Sequence, residues 1–171
     1  TQESLALKIS ARNPGMWGDK LRLLFTPSSK ARTPILEVIG DKEYRVKNSA
    51  GFNPGDIVLF NDGESKSYNQ VLKSQDNVIE LAEALEGDVV DKQLVPSKLL
   101  ATAEFSLQVF YESETENYEN LSFNPAAANY VEKKLARSSM IKVEHNPAIG
   151  EGAPFDIIAG DKAGEEEFWM G

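Results

Sequence analysis

The sequence predicts a mainly β fold with a few helices, an α+β chain whose middle section is a small antiparallel β-barrel or sandwich. Three observations lead there. Apolar and polar residues alternate near both ends, the period of a half-buried strand. The middle is a series of short apolar runs cut by Gly, Pro, Asn and Asp turn signals, the spacing of a small barrel or sandwich. Only one stretch, after Asn124, carries helix start signals followed by a stripe of helical period.

Leu5, Leu7 and Ile9 alternate with Ala6, Lys8 and Ser10 until Asn13-Pro14-Gly15 stops the run. Leu21, Leu23 and Phe25 form a second run, closed by a loop from Pro27 to Pro34. Ile35–Ile39 stops at Gly40-Asp41. Asn53-Pro54-Gly55-Asp56 introduces Ile57–Phe60, and Asp62-Gly63 ends it. Val58 and Phe60 are then expected on the core face with Ile57 and Leu59 opposite, or the reverse if a bulge intervenes. Gln75-Asp76-Asn77 introduces Val78–Leu81, and one or two short helices are expected between Leu81 and Leu100, around Pro96. Ala103, Phe105, Leu107, Val109 and Tyr111 make the clearest strand, with Thr102, Glu104, Ser106 and Gln108 on its polar face. Glu112–Glu119 reads as a solvated turn or hairpin. Asn124 as cap and Pro125 as first residue predict a helix with Ala127, Val131 and Leu135 on one stripe. Ser138–Val143 returns to strand, and Gly, Pro and acidic residues dominate from Asn146 onward. Opening at Thr1 suggests a product processed or excised from a longer protein, with no signal peptide in view.

Composition removes several functions. The 171 residues include no cysteine, which excludes disulfides, thiolate zinc sites, iron–sulfur clusters and a cysteine nucleophile. With 18 basic and 27 acidic residues the net charge is -9, so no nucleic-acid partner is expected, because phosphate contacts need clustered Lys and Arg. No apolar run approaches the ~18 residues of a membrane-spanning helix, and no membrane insertion is expected. His145 is the sole histidine, with Ser138 and Ser139 the nearest serines, and no Gly-x-Ser-x-Gly elbow exists. A surface His145 beside Asn146-Pro147 is the expectation, and no enzyme. Glu114, Glu116 and Glu119 lie in a polar stretch where solvation keeps a carboxylate ordinary, so they suggest no glycosidase pair. Asp62-Gly63-Glu64 lacks the spacing of a calcium loop, and no phosphate-binding glycine motif occurs; no cofactor or metal is expected.

Ile9 to Leu23, Ile-Ser-Ala-Arg-Asn-Pro-Gly-Met-Trp-Gly-Asp-Lys-Leu-Arg-Leu, sets Trp17 between Gly15 and Gly18 behind an Asn13-Pro14 turn, with Leu21 following. This resembles the contractile tail-sheath family of phage tails and injection systems, whose pattern is Ala, any, Asn-Pro-Gly, any, Trp-Gly-Asn, any, Leu; Asp19 stands where Asn is usual. Phe105–Val109 followed by Glu116-Asn-Tyr118-Glu-Asn120-Leu121-Ser122 is similar to that family's strand and its Asn-Leu-Ser turn. Asn124-Pro125 through Tyr130-Val131 resembles its Asp-Pro to Tyr-Val helix, and Ser139–Val143 the strand after it.

The resemblance implies a non-catalytic core of subtilisin-like topology, built from residues 1–30 and 100–171, with residues 31–99 as an inserted small β-barrel or sandwich. It implies a structural subunit of a sheath surrounding an inner tube, partnered by neighbouring sheath subunits in rings or a helix and by that tube. The expected location is a virion tail or injection-system particle assembled in the bacterial cytoplasm. The other function considered is a non-catalytic β-sandwich module binding carbohydrate or protein through an exposed Trp17 or Trp169. An exposed aromatic platform in a groove would favour it.

Overall fold

The computed structural model of the chain describes residues 7–13 and 20–145, and the backbone of two short strands at 157–158 and 169–170. The fold is mainly β: 52% of the described residues lie in strands and 4% in helix, which settles the class. The chain divides into two compact units, one made of Thr1–Ser28 and Phe105–Gly171, the other of Ser29–Glu104. Strands β1 (Leu7–Ala11) and β2 (Leu21–Ser28) open the first unit. The second holds β3 (Arg32–Thr33), β4 (Ile35–Val38), β5 (Glu43–Val46), β6 (Ile57–Asn61), β7 (Lys66–Gln75), β8 (Val78–Leu81) and β9 (Leu99–Thr102). The first unit resumes with β10 (Glu104–Tyr111), β11 (Glu114–Leu121), the helix α1 (Val131–Leu135), β12 (Ile141–His145), β13 (Ile157–Ile158) and β14 (Trp169–Met170). No helix among the described residues is long and apolar enough to cross a membrane.

The Ser29–Glu104 unit is a small barrel. Its strands follow the order β3-β9-β6-β7-β8-β5-β4, and the two end strands are consecutive in sequence, separated by Pro34 alone. One run therefore serves both ends of the sheet, bent at a residue that has no N–H to give a ladder. A second corner lies in β7. Residues up to Gln70 pair with β6, residues from Val71 pair with β8, and a bulge at Leu72 follows the switch, inside the β8-paired half. Ile35, Tyr44, Val46, Phe52, Val58, Phe60, Val71, Ile79, Leu81, Val89 and Leu100 fill the core. Val58 and Phe60 do share the buried face, with Ile57 and Leu59 only half-buried.

Two turns explain the register. The β7–β8 hairpin turns at Asp76 (φ 54°) and Asn77 (φ 60°), the left-handed pair that a two-residue type I′ turn requires. Gly51 sits at φ +87°, and a Cβ built on it would lie 2.9 Å from Ala31 Cβ. Both the backbone and the neighbour oppose a side chain. Gly51→Ala is expected to destabilise the barrel by about 1–2 kcal/mol from backbone strain alone, read as a lower midpoint in a urea melt.

One expectation for the barrel fails. The stretch around Pro96 is irregular chain, with no helix. Strand β7, a mostly polar stretch in which the sequence marks no element, pairs with β6 over its first half and with β8 over its second. Its buried Asn69 is satisfied by Glu83, donating to the carbonyl at 2.7 Å and accepting from the amide at 3.1 Å. Of the two readings of Glu112–Glu119, turn or hairpin, the structure takes the hairpin, with Glu114–Leu121 as its second strand. That strand pairs with β10 from Tyr111↔Glu114 to Phe105↔Leu121, and the turn shrinks to Glu112 and Ser113.

In the Thr1–Ser28 and Phe105–Gly171 unit, β1 pairs antiparallel with β12 from Leu7↔His145 to Ala11↔Ile141. A second sheet runs β11-β10-β2, and β13 pairs with β14. The predicted helix begins late: Asn124 and Pro125 open turns, and α1 starts only at Val131. Asn124 Oδ1 accepts from Ala126 N, an Asx turn. Ser122 N then donates to Asn129 O and Val131 N to Ser122 O, which holds residues 129–131 as an extended bridge before helical bonds can begin.

Candidate functional site at the Glu116 junction

Glu116 projects from β11 into the turn that precedes β12. Its Oε2 accepts from Tyr118 Oη at 2.7 Å and Ser138 Oγ at 2.5 Å, and its Oε1 from Ser139 N at 3.0 Å and Ser139 Oγ at 2.8 Å. Ser138 Oγ in turn accepts from Met140 N and Ile141 N, capping the turn into β12. Arg12 closes the other side, with Nε donating to Ser138 O, Nη2 to Ala136 O and its backbone N to Met140 O. One carboxylate and one guanidinium thus bind residues 136–141 to β11 and to the end of β1.

Partial burial, the largest single influence on Glu116, pushes its carboxyl up; the donations from Ser138, Tyr118 and Ser139 together outweigh it and leave the group below the usual carboxylate range. The same bond and burial push the Tyr118 phenol up. Because the charged form accepts four hydrogen bonds, Glu116→Gln is expected to destabilise this unit by about 1.5–3 kcal/mol. A denaturant melt with that variant indistinguishable from wild type would contradict the assignment.

The Asn-Leu-Ser segment forms a second lock. Asn120 adopts φ 50°, and Asn129 Nδ2 donates to its carbonyl. Ser122 Oγ accepts from Asn124 N at 3.0 Å, while Leu121, Val131 and Leu135 are buried together with Phe123 and Met140. Rings follow one another from Phe25 to Phe105, Phe123 and His145, at centroid spacings of 5.9, 5.0 and 5.4 Å. Tyr130 meets His145 edge-on, its Oη 3.1 Å from Nδ1. His145 is therefore half-buried rather than a bare surface residue, and desolvation lowers its imidazole despite the nearby Glu132. Burial, then Glu132, raises the Tyr130 phenol to about 12. The Ser138 and Ser139 hydroxyls donate to Glu116 and the His145 ring faces Tyr130, so these groups do not assemble a nucleophile–base pair.

Of the residues singled out in the sequence, the structure brings Glu116, Tyr118 and Ser139 together directly. It places Asn120, Leu121, Ser122, Tyr130 and Val131 in the adjoining lock, and Leu21 in the buried start of β2. Pro125 is exposed in a turn, and Asn13 is exposed just beyond β1. Pro14, Gly15, Trp17 and Gly18 lie outside the described residues, as does the Trp169 side chain. Arg12 was missed because the resembling pattern allows any residue there. Nothing in its sequence context signals that it donates to carbonyls 126 and 124 residues away.

The barrel has its own buried polar centre. Lys30 Nζ lies 2.9 Å from Asp56 Oδ2 and 3.7 Å from Glu104 Oε1, and both carboxylates are buried. Lys30 N donates to Glu104 Oε2, and Lys30 N and Ala31 N both approach Thr102 Oγ1. Burial raises the Glu104 carboxyl, opposed by Thr102 and Lys30. The cluster ties the strand leading into the barrel to the strand leading out. Sequence alternation had put Glu104 on a solvated face.

Comparison with protein-family profiles, with curated proteins and with solved structures returns no match.

Proposed function

We propose that the chain is part of a non-catalytic structural subunit of a contractile tail sheath, one that encloses an inner tube and is partnered by neighbouring copies. The supporting observation is the Glu116 junction. Three of the segments that carry the resemblance, at Arg12, at Glu116–Ser122 and at Ser139–Val143, converge on it within one unit although the barrel interrupts them in sequence. A split core with an independent excursion is the organisation the resemblance implies. The site chemistry agrees, because its carboxylate, hydroxyls and guanidinium are consumed in bonds to one another and to backbone. The carbohydrate- or protein-binding reading turns on Trp17 and the Trp169 side chain, which lie outside the described residues.

In this reading the particle is a virion tail or injection machine, and contraction is a rigid-body rearrangement of subunit interfaces. Negative-stain microscopy of the full-length protein tests it. Tubes or polysheaths are expected; a protein that stays dispersed under every polymerising condition would remove the proposal. Turnover on peptide, ester and glycoside substrates is expected at background for both wild type and His145→Ala. Activity abolished by that substitution would contradict a structural role.

A further inference from the structure

His145 ends β12, and it is the one side chain of the 171 residues whose ordinary value, near 6.5, lies close to neutrality. Its ring is half-buried between Phe123, at a centroid spacing of 5.4 Å, and Tyr130, edge-on at 5.6 Å. Tyr130 Oη lies 3.1 Å from Nδ1. Glu132 of α1 accepts from the His145 backbone N at 2.7 Å and also stands beside the Tyr130 phenol. The strand end is thus tied to α1 by a backbone bond and to Tyr130 by a side-chain bond. Its ladder is thin, because β12 pairs with β1 alone, through Leu7↔His145 at that end. A strand end with one ladder partner opens at low cost.

The Tyr130 phenol has one proton to give and two acceptors beside it. Burial and Glu132 push the phenol up to about 12, so it keeps that proton across the neutral range. It donates to Nδ1 while the ring is neutral with its own proton on Nε2. A second proton on the ring occupies both nitrogens, so Nδ1 accepts nothing. The phenol is then left to Glu132, and a charged ring lies against Phe123, partly stripped of water. Burial lowers the imidazole, and Glu132, the other influence on it, raises it less. Leu7 and Phe123 are uncharged, while Lys142 and Glu144 pair with each other at 3.3 Å on the other side of β12, with Lys8 in register with Glu144. Lys133 and Lys134 of α1 lie outside the bonds around the ring. Among the described residues, Glu132 is therefore the charge that faces His145.

We propose that this cluster is an acid-operated latch: neutral His145 holds the end of β12 against Tyr130 and α1, and protonation turns the ring into water and frees the strand end. A depressed imidazole binds fewer protons folded than unfolded. The stability it lends is therefore full above the ordinary 6.5 and is lost as pH falls through the folded value. The latch goes beyond the sheath reading and does not rest on it. It is also separate from Glu116, whose carboxyl lies below the usual carboxylate range.

Proton NMR of the full chain tests the latch, because a single histidine gives a single imidazole titration. The wild-type ring is expected to titrate below 6.5. Protection of the residue-145 amide, which Glu132 holds, is expected to fall with the same midpoint once intrinsic exchange is divided out. Glu132→Gln keeps an acceptor for that amide and removes the charge, so both midpoints are expected to move together to lower pH. His145→Asn keeps an acceptor near the Nδ1 position and does not titrate, so its protection is expected to stay flat from pH 7.5 to 5.5. An imidazole titrating at or above 6.5, or an amide whose protection ignores the imidazole titration, would overturn the latch. So would midpoints that separate in Glu132→Gln, or a His145→Asn chain that loses the same protection. Should His145→Asn fail to fold, the paired midpoints in wild type and Glu132→Gln decide the matter alone.

Discussion

Lys30→Met is expected to lower the stability of the barrel by about 3 kcal/mol at neutral pH. Removing one member of a buried ion pair costs ~3–5 kcal/mol because a charge is left without compensation. Here the lysine faces two carboxylates, Asp56 and Glu104, whose side chains are 3% and 2% exposed. The lysine side chain itself is 27% exposed, so water softens the loss and the lower end of that range applies. Protonation offers the variant an escape. Glu104 already has a carboxyl raised by burial, and without the ammonium it rises further. A raised carboxyl binds more protons folded than unfolded, so stability is greatest below the ordinary glutamate value near 4.5 and declines as pH climbs through the folded value. The deficit of Lys30→Met against wild type should therefore shrink as pH falls from 7 toward 4. Urea midpoints at both pH values measure it. A deficit equal at both would mean that methionine fails for reasons of packing rather than charge.

Glu116 carries the opposite sign. Its carboxyl is depressed, so the stability it lends is present above the ordinary value near 4.5 and is lost as pH falls through the folded value. Acid is thus expected to loosen the unit holding Glu116. Amide exchange in β11 at pH 6 and pH 3.5, in wild type and in Glu116→Gln, reads this slope. Protection in wild-type β11 that does not fall in acid would contradict the assignment.

Much of the barrel was legible because its strands follow the rules that sequence exposes. Asp76-Asn77 supports positive φ, and Ile57–Phe60 alternates against a core. Strand β7 was not legible, since Lys66–Gln75 has few apolar residues and owes its strand form to pairing first with β6 and then with β8, a tertiary effect overriding propensity. The late start of α1 has a similar cause. Asn124-Pro125 is a sound cap in isolation, but the bridge from Ser122 to Asn129 and Val131 takes the backbone groups first. The Glu116 junction was legible only as a set of residues. Its geometry depends on Arg12 and Ser138, whose roles come from chain reversals over more than a hundred and about twenty residues respectively. The clasp at Lys30, Asp56 and Glu104 was hidden because each residue has an ordinary local explanation, in a loop, in a turn and on the polar side of a strand.

Excising residues 29–104 and joining Ser28 to Phe105 through a short Gly/Ser linker is expected to leave a product that still melts cooperatively, with the barrel's contribution to the transition gone. The two cut ends belong to neighbouring strands, since β2 ends at Ser28 and β10, beside it in the sheet, begins at Glu104. Phe25 and Phe105 pack with centroids 5.9 Å apart close to those ends, so the linker has little distance to cover. On the barrel side the same closeness recurs, with Ser29 Oγ 3.2 Å from Thr102 Oγ1 and Thr102 N donating to Ala31 O. Each doubling of a connecting loop costs only about 0.6 kcal/mol, so a short linker in place of the barrel imposes no entropic obstacle. The Glu116 bonds, the β1–β12 pairing and the ring series from Phe25 to His145 all lie outside the excised segment. The excised barrel, expressed as residues 29–104, keeps its core from Ile35 to Leu100 and its Lys30 clasp, and is expected to melt as a second independent unit. If the joined product shows no cooperative melt, the two halves share a core and the boundary at Ser28 and Phe105 is wrong. If the joined product melts but the isolated barrel does not, the barrel depends on its flanks, and the Lys30 clasp is insufficient to hold its two ends together.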